Sequence, residues 1–214
     1  MLTAVYKKEY KAPKIDRREA LLYAGVRGGS ADAEALLSEV ISECAKGFSY
    51  NVVYAILSPS KAAELMGISA DRDASTAKRP YSELYFKRLE GAERVVVFAA
   101  SIGVLLDRMI KRYEVTSPAK AVMLDALGSE RVEALLDAFC DDINAEMISH
   151  GYRALPRFSP GYGDLPLALQ SKILSILDAQ RQLGIALNES LLMSPSKSVT
   201  AIMGIVKDIH LPEE

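Results

Sequence analysis

Arg157-Phe158-Ser159-Pro160-Gly161-Tyr162-Gly163-Asp164-Leu165-Pro166 sets an arginine, a Pro-Gly turn and a tyrosine within six residues, just before a long amphipathic stretch. Pro160 fixes its own φ and pushes Ser159 away from helical geometry. Gly161 can take a positive φ, which lets a ligand approach the backbone closely. The stretch therefore reads as a loop that offers unpaired N–H and C=O groups, a fixed cation and an aromatic face. Such a loop suits a small zwitterion carrying a carboxylate, an ammonium, a flat base and a second cationic centre. Arg157 is the natural partner for the carboxylate, because its planar fork donates two parallel hydrogen bonds. Tyr162 can hydrogen-bond a ligand or offer its ring to a cationic centre, by the attraction that draws cations to π faces. A plain Pro-Gly turn between two helices is the other reading of the same residues.

Composition bounds the rest. A chain of 214 residues fits one domain spanning 1–214. Half its residues are hydrophobic and a quarter charged, enough to bury a core. A formal net charge of −2 gives no electrostatic reason to expect nucleic acid or anionic membrane as a partner. No apolar run approaches the ~18–20 residues that span a bilayer. The amino-terminal region lacks an apolar signal segment, so a soluble, cytoplasmic protein is expected. Cys44 and Cys140 fall on apolar positions of helical patterns and are expected as buried thiols. Two cysteines cannot hold a four-thiolate cluster. His150 and His210 are not at metal-ligand spacing, so no metal site is expected. Phosphate-loop, dinucleotide and nucleophile-elbow motifs are missing, as is any residue set for unaided acid–base or nucleophilic chemistry. Gly25-Val26-Arg27-Gly28-Gly29 follows a helix and reads as a helix stop with a linker.

Along the chain, residues 1–14 suggest an edge strand or an arm. Asp16 can cap a short helix to about Ala24. Ser30 opens a second helix that Gly47 ends, and Phe48 to Leu57 reads as a strand. Residues 58–80 hold a short helix around Ala62–Met66 and then a polar loop. A buried strand is expected from Arg94 to Ala100 and a helix from Val104 to Tyr113. Ser117-Pro118 starts a helix that runs to Ile148, with a bend at Gly128-Ser129. A loop over 152–164 leads to a helix from Pro166 to Leu183, then strands at 190–193 and 199–206. Strands and helices mix without regular βαβ alternation, so the fold class is α+β: a mixed, largely antiparallel sheet flanked by helices.

Arg157-x-x-x-Gly161-Tyr162 resembles the signature of the S-adenosylmethionine-binding activation domain of cobalamin-dependent methionine synthase. Three further segments resemble that family in the same order. They are Phe98-Ala99-Ala100-Ser101-Ile102-Gly103, Gly184-Ile185-Ala186-Leu187-Asn188-Glu189-Ser190, and Met193-Ser194-Pro195-Ser196-Lys197-Ser198-Val199. The resemblance is best over residues 91–206 and looser over 1–90.

The resemblance implies a free-standing reactivation protein. It would bind S-adenosylmethionine and dock over cob(II)alamin carried by a cobalamin-dependent methionine synthase, or a related corrinoid protein. A flavodoxin-like donor would supply an electron, and the partner's cobalt would take the methyl group. The cobalamin belongs to the partner, not to this chain. A sensor or adaptor that binds the ligand without methyl transfer is the alternative, and a fold relative without ligand is a third. Carried over residue by residue, the ligand contacts are Arg157, the backbone of Ser159 and Gly161, Tyr162, and an acid from the long helix. Glu133 matches that acid by position, and Asp137 one turn later stays open. Asp16 stands where the family has an early acidic ligand, and also reads as a helix cap. The resembled domain continues past the Ser-Val segment and supplies a further tyrosine. Here a more open site is expected, or Tyr152 in that tyrosine's place.

Overall fold

The computed structural model describes residues 4–44, 47–69 and 82–208. In chain order the elements are β1 (Tyr6–Tyr10), α1 (Arg17–Tyr23), α2 (Ala31–Cys44), β2 (Tyr50–Leu57), α3 (Pro59–Met66), α4 (Glu83–Arg88), β3 (Ala92–Ser101) and α5 (Leu105–Thr116). They continue with α6 (Pro118–Ile148), β4 (Tyr152–Ala154), α7 (Leu169–Ile176), α8 (Ala179–Leu183), β5 (Ala186–Leu187), β6 (Met193–Ser194) and β7 (Ser198–Lys207). Five strands form one sheet in the order β1-β2-β3-β7-β4, and each neighbouring pair is antiparallel. Strands β5 and β6 make a separate ribbon. This is the α+β architecture expected from the sequence.

The sheet is sealed on both faces, and β3 shows why. Val96, Phe98 and Ala100 turn to one side, Val95, Val97 and Ala99 to the other, and all six are fully buried. An antiparallel strand covered on both faces reads as a continuous apolar run, because neither half of its period meets water. On the first face Phe139 of α6 packs on Phe98 and Tyr54, with ring centroids 4.7 and 5.3 Å away. Helices α1, α2 and α5 close around α6 on that side. The opposite face is covered by α3, α4, α7 and α8.

Helix α6 is the spine of the molecule, about 46 Å long at 1.5 Å per residue. Its first half is buried nearly all round because three helices wrap it. Its second half keeps one apolar stripe, Leu135, Leu136, Phe139, Ile143 and Met147. Pro118 occupies the first turn as expected, but the Ser117 side chain makes no capping bond. The helix runs on through Gly128. A Cβ there would lie 2.1 Å from Cδ2 of the buried Leu106, so glycine is needed for the close approach of α5. Gly128→Ala is accordingly expected to destabilise the protein by about 1–3 kcal/mol through overpacking. An exposed helix position would instead gain up to ~1 kcal/mol from that change. Denaturant unfolding decides between the two signs.

Other boundaries differ from expectation for local reasons. The helix expected over 166–183 is two helices, broken at Asp178, which takes φ 49°. Aspartate tolerates that left-handed region, and the break turns both Leu177 and Ala179 into the core. The strand expected at 190–193 is mostly a turn. Asn188 Oδ1 accepts from the N–H groups of Ser190 and Leu192, leaving only Met193–Ser194 as strand. Helix α4 and strand β4 were not anticipated. Residues 1–3 of the expected arm, the 45–46 end of the second helix, the 70–80 part of the polar loop and His210 lie outside the described residues.

Candidate functional site

A cleft of about 980 Å³ lies between α6, the 154–163 segment and the start of β7. Its position follows from how β4 ends. Strand β4 covers β7 only from Ile205 to Lys207. Beyond it, Leu155 N–H donates to Gly204 O, and Phe158 exchanges both backbone bonds with Ile202, at 3.0 and 2.8 Å. The chain then turns away at Pro160. In an antiparallel ladder alternate residues aim their N–H and C=O to the same side. Thr200 and Ser198 therefore present these groups along the uncovered edge of β7, and both line the cleft.

The same alternation aims the side chains. Phe158 turns onto the second sheet face, where it is buried edge-on against Tyr85. Arg157, its predecessor, turns the other way, onto α6. There Nη1 donates to Asp137 Oδ1 and Nη2 to Glu133 Oε2, both at 2.7 Å. Glu133 and Asp137 are four residues apart and share one face of the helix; Glu133, Cys140 and Asn144 line the cleft, and Asp137 does not. Burial works against the Arg157 charge, but its bonds to Asp137 and Glu133 outweigh it and raise the pKa further. Glu133 and Asp137, the two acids the sequence left open, each hold one arm of the Arg157 fork.

The loop itself differs in one respect from the sequence reading. Gly161 takes φ 94°, but its N–H is not free; it donates to Leu165 O at 2.8 Å. Ser159 O accepts from Tyr162 N–H at 3.3 Å. The Ser159 N–H and the Gly161 carbonyl remain, neither of them hydrogen-bonded among the described residues. The Tyr162 ring is 69 % exposed at the cleft mouth, beside Leu167.

Two residues stand elsewhere. The Asp16 carboxylate caps α1, accepting from Glu19 N–H at 3.0 Å, and does not line the cleft. Tyr152 does not take the place of a ligand tyrosine: its hydroxyl donates to Glu93 and its ring lies against Arg94. Three contributors escaped the sequence reading. The uncovered edge of β7 has no local signal, since it depends on where β4 stops. Asp164, which ties the loop to α4, depends on a contact 80 residues away in sequence. Cys140 was expected to be buried and is only half-buried, lining the cleft near Arg157. Its four-residue step from the Glu133 and Asp137 stripe to Asn144 was the signal available.

The two thiols offer a check on the cleft. Burial pushes Cys44 up to about 11, and its Sγ sits 3.7 Å from Met109 Sδ. Burial also raises Cys140, with Arg157 opposing. A thiol reagent at pH 8 is expected to modify Cys140 slowly and leave Cys44 untouched until unfolding. A ligand filling the cleft should slow the Cys140 reaction about fivefold or more. Equal labelling of both thiols would place the cleft wrongly.

Residues 71–208, more than half of the chain, match the model of the family described as vitamin B12 dependent methionine synthase, activation domain. No curated relative matches. Among solved structures, the chain is similar to the crystal structure of the MetH reactivation domain bound to AdoHcy, with a TM-score of 0.67 and 16% identity. The likeness covers 99% of this chain and 81% of that one, and at this identity it bears on the fold. Fold, loop signature and family match converge, and the chain belongs to the activation-domain family of vitamin B12 dependent methionine synthase.

Proposed function

We propose that the chain binds S-adenosylmethionine in the cleft beside residues 157–163 and presents it to cobalamin held by a methionine synthase partner. The observation that carries this reading is the Arg157 fork braced by Glu133 and Asp137 in an open cleft. An amino-acid head group brings one carboxylate and one ammonium, and the cleft wall offers both complementary signs within hydrogen-bond reach of each other. The ligand carboxylate takes the exposed side of the guanidinium. The ammonium takes the carboxylate oxygens that Arg157 leaves unused, Glu133 Oε1 and Asp137 Oδ2. The adenine edge meets the Ser159 N–H and the Gly161 carbonyl, and Tyr162 offers its ring to the sulfonium. AdoHcy in the related MetH domain is the demethylated form of this ligand, which supports the assignment.

When bound, S-adenosylmethionine supplies the electrophilic methyl group and the partner's cobalt the nucleophile. The contribution of this chain is position and charge. Its cleft is open at the mouth, so a second protein can reach the ligand. A flavodoxin-like donor for the reducing electron completes the proposal by family resemblance. Calorimetry should show saturable binding of S-adenosylmethionine. The chain should then act in trans: mixed with cob(II)alamin-loaded methionine synthase lacking its activation domain and with a reductant, it should yield the methylcobalamin spectrum. Binding without that conversion would favour the sensor or adaptor reading, and no binding at millimolar ligand would exclude both.

A further inference from the structure

The 157–163 loop is held at two ends. Upstream, Phe158 is laddered to Ile202. Downstream, Leu165 is 1% exposed in the second core cluster, and Asp164 beside it turns outward to α4. Asp164 Oδ1 accepts from Ser82 Oγ at 2.9 Å and Leu84 N–H at 3.1 Å, and Oδ2 accepts from Glu83 N–H at 2.6 Å. We infer that Asp164 is the positioning residue of the ligand loop, fixing the Gly161–Gly163 turn against the amino end of α4.

Three points carry this. Helix α4 has a side-chain cap of its own, because Ser82 Oγ accepts from Tyr85 N–H at 3.1 Å, and Asp164 takes the Glu83 and Leu84 N–H groups that Ser82 leaves, so the bonds join loop and helix rather than merely starting the helix. Both Asp164 oxygens accept from the 82–84 segment and the residue does not line the cleft, so the carboxylate is no ligand contact. What the three bonds fix is the exposed turn carrying Tyr162, whose internal bonds are Gly161 N–H to Leu165 O and Leu165 N–H to Tyr162 O. Burial alone would raise the Asp164 pKa, but the donors from Leu84, Glu83 and Ser82 outweigh it and lower it. The clamp is thus complete above the ordinary aspartate range and is lost only as pH falls through the lowered value.

The inference rests on the cleft being the S-adenosylmethionine site, and the test separates the two. Asp164→Ala, Asp164→Asn and Ser82→Ala are compared with Ser30→Ala, which removes the hydroxyl that accepts from Ala33 N–H at the start of α2, outside the cleft lining. Affinity for S-adenosylmethionine is read by calorimetry, and hydrogen exchange of the ligand-free 157–166 peptide by mass spectrometry. Asp164→Ala is expected to weaken binding about tenfold and speed exchange in that peptide about tenfold, with β7 unchanged. Asp164→Asn, which keeps an acceptor oxygen, should recover part of both. Ser30→Ala should lower the melting temperature and leave affinity within about twofold. Parent-like affinity and exchange in Asp164→Ala would overturn the inference. Should that variant fail to fold, parent-like exchange in both Asp164→Asn and Ser82→Ala would do the same. If the parent chain binds no S-adenosylmethionine, the functional reading falls while the exchange of the loop still judges Asp164.

Discussion

Arg157→Ala is expected to weaken S-adenosylmethionine binding by ~1.5–3 kcal/mol, roughly 10- to 150-fold, in calorimetric titration. Two losses combine. The ligand carboxylate loses a charge-assisted donor, and the loop loses its ionic link to Glu133 and Asp137. Those two acids then face each other at i,i+4 without a cation, a repulsion of only a few tenths of a kcal/mol on a solvated helix. The fold should therefore survive, since Phe158, Leu165 and the β7 ladder are untouched. Arg157→Lys should not restore affinity: a lysine reaches one carboxylate as a point charge and cannot span both with a planar fork. Glu133→Gln combined with Asp137→Asn should cost binding separately if the acids hold the ligand ammonium. Parent-like affinity in both Arg157 variants would make Arg157 a structural tie and move the site elsewhere.

How far the site could be read in advance depended on how local its causes are. That Arg157 and Tyr162 fall on one tight loop was legible, because a Pro-Gly turn restricts the backbone within a few residues. The pairing of Arg157 with Glu133 and Asp137 was half legible, since their shared face follows from the helical period but their distance from the loop does not. The occupied Gly161 N–H was not legible; it depends on Leu165 folding back four residues later. The sheet was readable where strands are long and apolar, as in β3 and β7. It failed at β4, only three residues of which pair, all with β7. Helix α4 was missed for a similar reason: six residues carry too little periodicity, and its start is completed by Asp164 from far along the chain.

The largest stability loss is expected from a buried ion pair on α6 that the sequence reading did not single out. Glu130 and Arg131 are each 1% exposed and joined by two hydrogen bonds. Arg131 also donates to Pro13 O at 2.6 Å and Lys14 O at 2.9 Å, while Glu130 Oε1 accepts from Asp16 N–H at 2.9 Å. Burial disfavours the Arg131 charge, but the bond and attraction to Glu130 outweigh it and raise the pKa. Together the two side chains hold the 13–16 backbone, and with it α1, on the helix that carries Glu133 and Asp137. Their partners in that segment are main-chain groups, which almost any residue supplies. Such partners leave the residues before 71, which lie outside the family match, free to vary in sequence while the likeness in fold covers 99% of the chain. Arg131→Met is expected to cost ~3–5 kcal/mol, because it strands a buried carboxylate and two carbonyls. Glu130→Leu together with Arg131→Met removes both charges and should recover a good part of that loss, leaving the two carbonyls and the Asp16 N–H as the residual cost. Urea unfolding of the three proteins measures both terms. A single-variant loss below about 1 kcal/mol, or a double variant no better than the single, would show that the pair is solvated in solution and that α1 is held by apolar contacts alone.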